Sequence, residues 1–155
     1  MTAMTAIRLQ RTIPAPPERV YRAWLDPELM VRWMSPGDNR ATRAEVDEHV
    51  GGHHRVWQTA SGGNGYEVGG FENEFLELVP DERIVLKWRF VGPEREVDPA
   101  LDSRLTITLR PAPGDATELT LVHERLDGLA AAMPEVAANV ETGWQLVLDQ
   151  LAEAA

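Results

Sequence analysis

Three of the four histidines in the chain lie within six residues, in the stretch HVGGHH at positions 49–54. Clustered histidines point to either a metal site or acid–base chemistry. His49 and His53 have the four-residue spacing of a helical metal pair, but the two glycines between them disfavour a helix. His53 and His54 are neighbours in a predicted strand, so their side chains point to opposite faces. The pattern therefore predicts no metal site, and the sequence shows no cofactor motif.

The fourth histidine, His123, shares the apolar parity of the predicted strand TELTLVHERL (117–126) and should face the core. A histidine on such a face is more often a hydrogen-bonded core or cavity-wall residue than a catalytic base. A dyad of His123 with His54 across a cavity is the alternative, and it would respond to pH. The sequence alone leaves both interpretations open.

The elements that must position these histidines follow from the periodicity. Alternation predicts a first strand at 7–13, and the prolines around Asp26-Pro27 predict two short helices rather than one long helix. Period-two patterns then predict strands at 41–50, 53–60, 66–79, 83–91, 103–111 and 117–126. An apolar stripe at three- and four-residue steps predicts one long helix over 134–154. The stretch SGGNG (61–65) is predicted to be a hairpin tip.

This order predicts an α+β fold and a single domain over residues 1–155. A sheet of that length with one polar face must bury the other face, and the final helix is the obvious cover. The third strand is ambiguous, because His54, Val56 and Gln58 share one face while Arg55 and Trp57 share the other. The segment 92–102 is the longest predicted loop, and the sequence does not decide whether it moves as a lid.

Composition limits the classes of partner. The formal net charge of −10 repels phosphate backbones, so nucleic-acid binding is not expected. No apolar run approaches the roughly 18 residues of a membrane span, and the N-terminus lacks the pattern of a secretory signal, so we expect no membrane insertion. The absence of cysteine fits a reducing compartment, and the expected location is the cytoplasm. A homodimer through an edge strand or an exposed loop is compatible with the sequence.

Four stretches carry a resemblance to a known family: TIPAPPERVYRAWLDPELMVRWM, VGGHHRVW, FLELVPDERIVLKWRF, and LTLVHERL followed by GWQLVLDQL. In this order they resemble the SRPBCC superfamily, whose helix-grip fold is shared by START lipid-transfer domains and birch-pollen-type allergens. The most similar branch is named for the activator of the ninety-kilodalton heat-shock-protein ATPase. The resemblance implies a curved seven-stranded antiparallel sheet that grips the C-terminal helix, with two short helices closing one end of a cavity.

The resemblance also implies which residues line that cavity. They come from the second short helix, the sheet and the long helix: Trp33, Met34, His54, Val56, Phe71, Trp88, His123 and Trp144. Plain core packing is the alternative for each of them, since a large aromatic side chain can fill a core without any ligand.

Three functions are compatible with this family. The first is a non-catalytic binding protein for a small apolar or aromatic molecule such as a lipid or polyketide. The second is an enzyme of the polyketide cyclase or dehydratase kind, with His123 or His54 as general base and Tyr66 or Arg55 stabilising an oxyanion. The third is an interaction module of the co-chaperone or stress-response kind, with a chaperone as partner. The sequence shows no catalytic triad and no paired carboxylates, and the first function is therefore the main expectation.

Overall fold

The computed structural model describes residues 6–34, 39–60 and 67–155. In chain order the elements are β1 (Ile7–Ile13), α1 (Pro17–Leu25), α2 (Pro27–Trp33), β2 (Asn39–Val46), β3 (His53–Ala60), β4 (Glu67–Val79), β5 (Arg83–Trp88), β6 (Phe90–Val91), β7 (Ser103–Ala112), β8 (Ala116–Glu124), α3 (Asp127–Ala132), α4 (Pro134–Ala138) and α5 (Val140–Ala154). A single 3-10 turn at Pro99–Leu101 precedes β7.

The strands form one antiparallel sheet in the order β1-β8-β7-β5-β4-β3-β2, with the short β6 paired to β4. Inward-facing side chains alternate along β7 and β8, as period-two patterning requires. Helix α5 buries one apolar stripe in the same hydrophobic core as these side chains: Val140, Trp144, Val147, Leu148 and Leu151. The helix-grip architecture predicted from the sequence is confirmed.

The two short helices after β1 are also confirmed. Asp26 ends α1 and caps α2, because its carboxylate accepts a hydrogen bond from the amide of Glu28 at 2.9 Å. Pro27 occupies the first position of α2, where a missing amide donor costs nothing. Trp33 at the end of α2 donates its indole N–H to the carbonyl of Ala23 at 3.0 Å, which satisfies a carbonyl in the last turn of α1.

The predicted strand 83–91 is interrupted in the structure. The amide of Arg89 donates to the side-chain oxygen of Asn73 at 3.0 Å instead of joining the β5–β7 ladder. Beyond this break, Phe90 pairs with Phe71 of β4 to form β6. Alternation in the sequence could not reveal the break, because the apolar parity continues through it.

Two other predicted boundaries were wrong. The strand predicted at 41–50 ends at Val46, and a turn follows in which the amide of Gly52 donates to the carbonyl of His49 at 2.8 Å. The single helix predicted at 134–154 is divided into α4 and α5 at Asn139, whose side-chain amide donates to the carbonyl of Glu135 at 2.8 Å. The sequence also did not predict α3. The predicted hairpin tip at 61–65 lies outside the described residues.

The loop 92–102 is fixed to the outer face of the sheet by Arg95. The guanidinium of Arg95 donates to the Glu72 carboxylate at 2.8 Å and to the carbonyls of Val56 and Phe71 at 3.1 and 2.8 Å. It also lies 4.2 Å from the ring centroid of Trp57. Three charge-assisted hydrogen bonds and a cation–π contact hold this segment in place rather than leaving it free as a lid.

Beside Arg95, the β3–β4 pairing requires a glycine. Gly70 has a φ of 149°, and a Cβ there would stand 1.9 Å from the carbonyl oxygen of Val56. Only a residue without a side chain lets the two backbones approach this closely.

Within the described residues, no helix is long and apolar enough to cross a membrane.

Candidate functional site

The structure resolves the ambiguity of the third strand. His54 and Val56 are fully buried on the inner face of β3, while Arg55 and Trp57 are only half-buried on the outer face. His53 points outward, as its position next to His54 requires. The inner face of the sheet therefore holds two buried histidines, His54 and His123.

His54 lies in a hydrogen-bond chain that ends at the α1 C-terminus. Its Nε2 lies 3.0 Å from the carbonyl oxygen of Trp24, which can only accept, so Nε2 carries the proton. Its Nδ1 accepts from the side-chain amide of Asn73 at 3.1 Å. The amide oxygen of Asn73 accepts in turn from the Arg89 backbone. Both ring nitrogens of His54 are thus occupied by protein groups.

His123 lies in a second chain of the same kind. The indole N–H of Trp144 donates to its Nδ1 at 3.0 Å, and because indole is a donor only, the ring proton sits on Nε2. Nε2 then donates to the hydroxyl of Ser103 at 2.7 Å, and this hydroxyl donates to the carbonyl of Trp88 at 3.3 Å. These hydrogen bonds connect Trp144 to Trp88 through the neutral ring of His123 and the hydroxyl of Ser103. Because His123 donates this hydrogen bond to the Ser103 hydroxyl, it cannot act as a base that activates Ser103.

Burial keeps both histidines neutral. Loss of hydration in the core lowers the pKa of His54 from 6.5 to about 4, and the same cause lowers the pKa of His123 to about 3. The alternative dyad of His54 with His123 is not formed: each ring has its own hydrogen-bond partners, and both rings lie near Trp88, at centroid distances of 6.5 and 6.1 Å. Neither His54 nor His123 therefore has a ring nitrogen with a free lone pair for a substrate.

The second chain can be tested by removing its hydroxyl. Ser103→Ala leaves the Nε2–H of His123 buried without a partner, so we expect a loss of about 1–2 kcal/mol in the free energy of unfolding. Urea denaturation measures it. Thr106→Val, which removes a hydroxyl from the outer face of the same strand, is the control and should change stability by less than about 0.5 kcal/mol. Equal effects of the two substitutions would contradict the proposed hydrogen bond.

A pocket of about 490 Å³ lies between the sheet and the two C-terminal helices. Aromatic rings of Phe71, Trp88 and Phe90 form its sheet side, together with Met34 at the end of α2. The α4–α5 side is contributed by Glu135, Val136, Asn139, Val140, Thr142, Gly143, Trp144, Leu146 and Val147. Val136 and Leu146 are 37% and 44% exposed, so the mouth of the pocket is apolar as well. A volume within about 300–1,000 Å³ and a mostly apolar wall are typical of small-molecule sites.

The structure brings half of the predicted cavity residues to this pocket. Met34, Phe71, Trp88 and Trp144 line it. Trp33, His54, Val56 and His123 do not: all four are fully buried, and three of them are hydrogen-bonded to the protein. His123 contacts two residues that do line the pocket, Trp88 and Trp144, and it accepts the indole N–H of Trp144.

Several pocket residues were missed by sequence reasoning. Phe90 shares the apolar parity of Trp88, and Val140 and Val147 belong to the predicted helical stripe, so a signal for burial existed but none for a pocket. Glu135 and Asn139 gave no signal, because their position depends on the division of the C-terminal helix.

Other predicted chemical groups are not near a reacting centre. Arg55 lies on the outer face, where its guanidinium donates to Glu72 at 2.8 Å. It therefore cannot stabilise an oxyanion in the interior. Tyr66 lies outside the described residues. Over 6–34, 39–60 and 67–155, no group of three or more histidine, aspartate or glutamate side chains is arranged to hold a metal ion.

Comparison with known proteins agrees with this architecture. The family model described as activator of Hsp90 ATPase homolog 1-like protein matches residues 14–155. A crystal structure from Chromobacterium violaceum shares 38% sequence identity, with a TM-score of 0.75 over 97% of this chain and 96% of that one. One from Rhizobium loti shares 31% identity, with a TM-score of 0.70 over 97% and 96%. An Arthrobacter aurescens solution structure at 20% identity, with a TM-score of 0.80 over 96% and 84%, shows the same fold. No curated protein matches the sequence.

Proposed function

The chain belongs to the activator of Hsp90 ATPase homolog 1-like family, and from this premise we propose that it binds a small apolar or aromatic molecule without transforming it. The observation that carries the proposal is the pocket between the sheet and α4–α5, with four aromatic rings in its wall. Those rings offer dispersion and stacking contacts to a flat apolar body.

The hydrogen bonding of the two histidines favours binding over catalysis. A general base must reach a substrate proton with a free lone pair. His54 and His123 each donate from Nε2 and accept at Nδ1 within the protein, and no carboxylate stands behind either of them. The cyclase-like alternative, with either histidine as base, therefore has no geometric support.

The interaction-module alternative has weaker support than ligand binding. The exposed apolar side chains Val136 and Leu146 border the pocket itself, so a ligand in the pocket accounts for their position. A chaperone partner remains compatible with the family. The binding of a small molecule is the function that the arrangement of these residues supports best.

A filled-pocket variant tests the proposal. The neutral dye N-phenyl-1-naphthylamine should bind the wild-type protein with an increase in emission. Val140→Phe places a ring in the pocket and should weaken binding by about tenfold, because the ring occupies space that the dye would fill. Val97→Phe, on the exposed 92–102 loop away from the pocket, is the matched control and should leave binding unchanged. Thermal unfolding of both variants verifies that they fold.

Two outcomes would contradict the proposal. One is no saturable dye binding by the wild-type protein. The other is equal binding by the wild-type protein and a folded Val140→Phe variant, which would place the dye elsewhere.

A further inference from the structure

The pocket wall has an unbalanced charge. Among the described residues that line it, Glu135 is the only one with a formal charge, and none is basic. Glu135 is exposed, and within the described part of the chain its carboxylate forms no ion pair. A carboxylate at the mouth of an apolar pocket is thus left available to a ligand.

The surrounding chain strengthens this asymmetry. Residues 126–155, which provide the whole α4–α5 side of the pocket, contain no lysine, arginine or histidine. They contain five carboxylates: Asp127, Glu135, Glu141, Asp149 and Glu153. With a net charge of −10 on the whole chain, the field at the mouth attracts cations and repels anions.

The aromatic wall has the same preference. Phe71 and Trp88 lie 4.5 Å apart by ring centroid, Phe71 and Phe90 5.5 Å, and Trp88 and Trp144 5.2 Å. The faces of such rings carry partial negative charge, so a wall built from them accommodates a cationic ligand better than an anionic one. The indole N–H of Trp144 is already used by His123, whereas the buried indole N–H of Trp88 has no hydrogen-bond partner among the described residues and is a neutral donor beside the pocket.

We propose that the ligand of this pocket is an organic cation: an amine, protonated or quaternary, whose charge lies near Glu135 while its apolar or aromatic body packs among the four rings. The inference rests on the proposed binding function and names the chemical class of its ligand. It disfavours fatty acids and other carboxylates, whose charge would lie near the Glu135 carboxylate with no basic side chain among the described lining residues.

Three probes with one body and different charges test this. They are 1-pyrenemethylamine, 1-pyrenemethanol and 1-pyrenecarboxylate, and equilibrium dialysis at pH 7 and low salt gives the affinity of each. We expect the ammonium to bind about tenfold more tightly than the carboxylate, with the alcohol between them. Glu135→Gln should reduce the ammonium-to-carboxylate preference about threefold, and Glu135→Lys should reverse it. Glu141→Gln, in the same segment but outside the pocket lining, is the matched control and should change the preference by less than about 1.5-fold.

The outcomes separate this inference from the function on which it rests. If the alcohol binds but the ammonium and carboxylate bind equally, the pocket is a binding site and the charge preference is wrong. If Glu141→Gln lowers the ammonium-to-carboxylate preference as much as Glu135→Gln does, the preference arises from the net charge of the protein rather than from the pocket mouth. That result would also overturn the inference. If none of the three probes binds, both proposals fail.

Discussion

Lowering the pH from 7 to 5 should reduce the free energy of unfolding by about 3–4 kcal/mol through the two buried histidines alone. An unfolded histidine has a pKa near 6.5, while the folded values are about 4 for His54 and about 3 for His123. Above pH 6.5 both states are neutral and the histidines add no pH dependence. Below it the unfolded chain binds protons that the folded chain does not bind, so the free energy of unfolding falls by about 2 kcal/mol per histidine down to pH 5.

Urea denaturation at pH 7, 6 and 5 measures this loss, and substitution isolates the histidine contribution from that of the carboxylates. His54→Gln and His123→Gln keep an amide donor and acceptor but do not titrate, so each should reduce the loss of stability between pH 7 and 5 by about 2 kcal/mol. His49→Gln is the control, because the His49 side chain is 63% exposed and lies outside the core. If all three variants keep the wild-type dependence, the buried histidines are not the cause.

Gly70→Ala should destabilise the fold by about 3–5 kcal/mol, through a steric clash and backbone strain together. The new methyl group would stand 1.9 Å from the carbonyl oxygen of Val56, and the φ of 149° suits glycine alone. Relief would require β3 and β4 to separate, and the same carbonyl accepts a hydrogen bond from Arg95. The substitution therefore loosens the sheet pairing and the anchor of the 92–102 loop at once.

The measurement is again urea denaturation, with Gly92→Ala as the matched control. A Cβ at Gly92 meets nothing within 4 Å, so this change should alter stability by less than about 0.5 kcal/mol. Hydrogen exchange of the amides in β3 and β4 adds a local readout, and faster exchange there in Gly70→Ala is expected. A stability equal to that of Gly92→Ala would show that the sheet relaxes around the methyl group at no cost.

The elements were largely predictable because periodicity reports directly on which face of a strand or helix is buried. The apolar parity around His123 placed it correctly on the inner face, and Asp26-Pro27 gave the break between α1 and α2. The strand carrying His54 was ambiguous, because polar and apolar residues occur on both of its faces. Only the pairing with β4, which places Asn73 beside His54, shows why a histidine is stable there.

The site was less predictable because its details depend on register and on interruptions. The contact of Ser103 with His123 depends on the alignment of β7 with β8, and its contact with Trp88 on the alignment of β5 with β7. No local pattern in the sequence fixes either alignment. Glu135 enters the pocket wall because the C-terminal helix is divided at Asn139, which a continuous apolar stripe conceals. Residues with strong periodic signals were placed well, and residues brought together by tertiary contacts were not.

The tryptophans of the core form a continuous series of rings. Trp33 lies 4.7 Å from Trp24, Trp24 lies 6.0 Å from Trp144, and Trp144 lies 5.2 Å from Trp88. At such separations the excited states of neighbouring indoles couple, so light absorbed by one is shared along the series. Two members line the pocket and two lie in the closed core. We therefore expect a molecule that contacts Trp88 or Trp144 to alter the near-ultraviolet circular dichroism of the whole series.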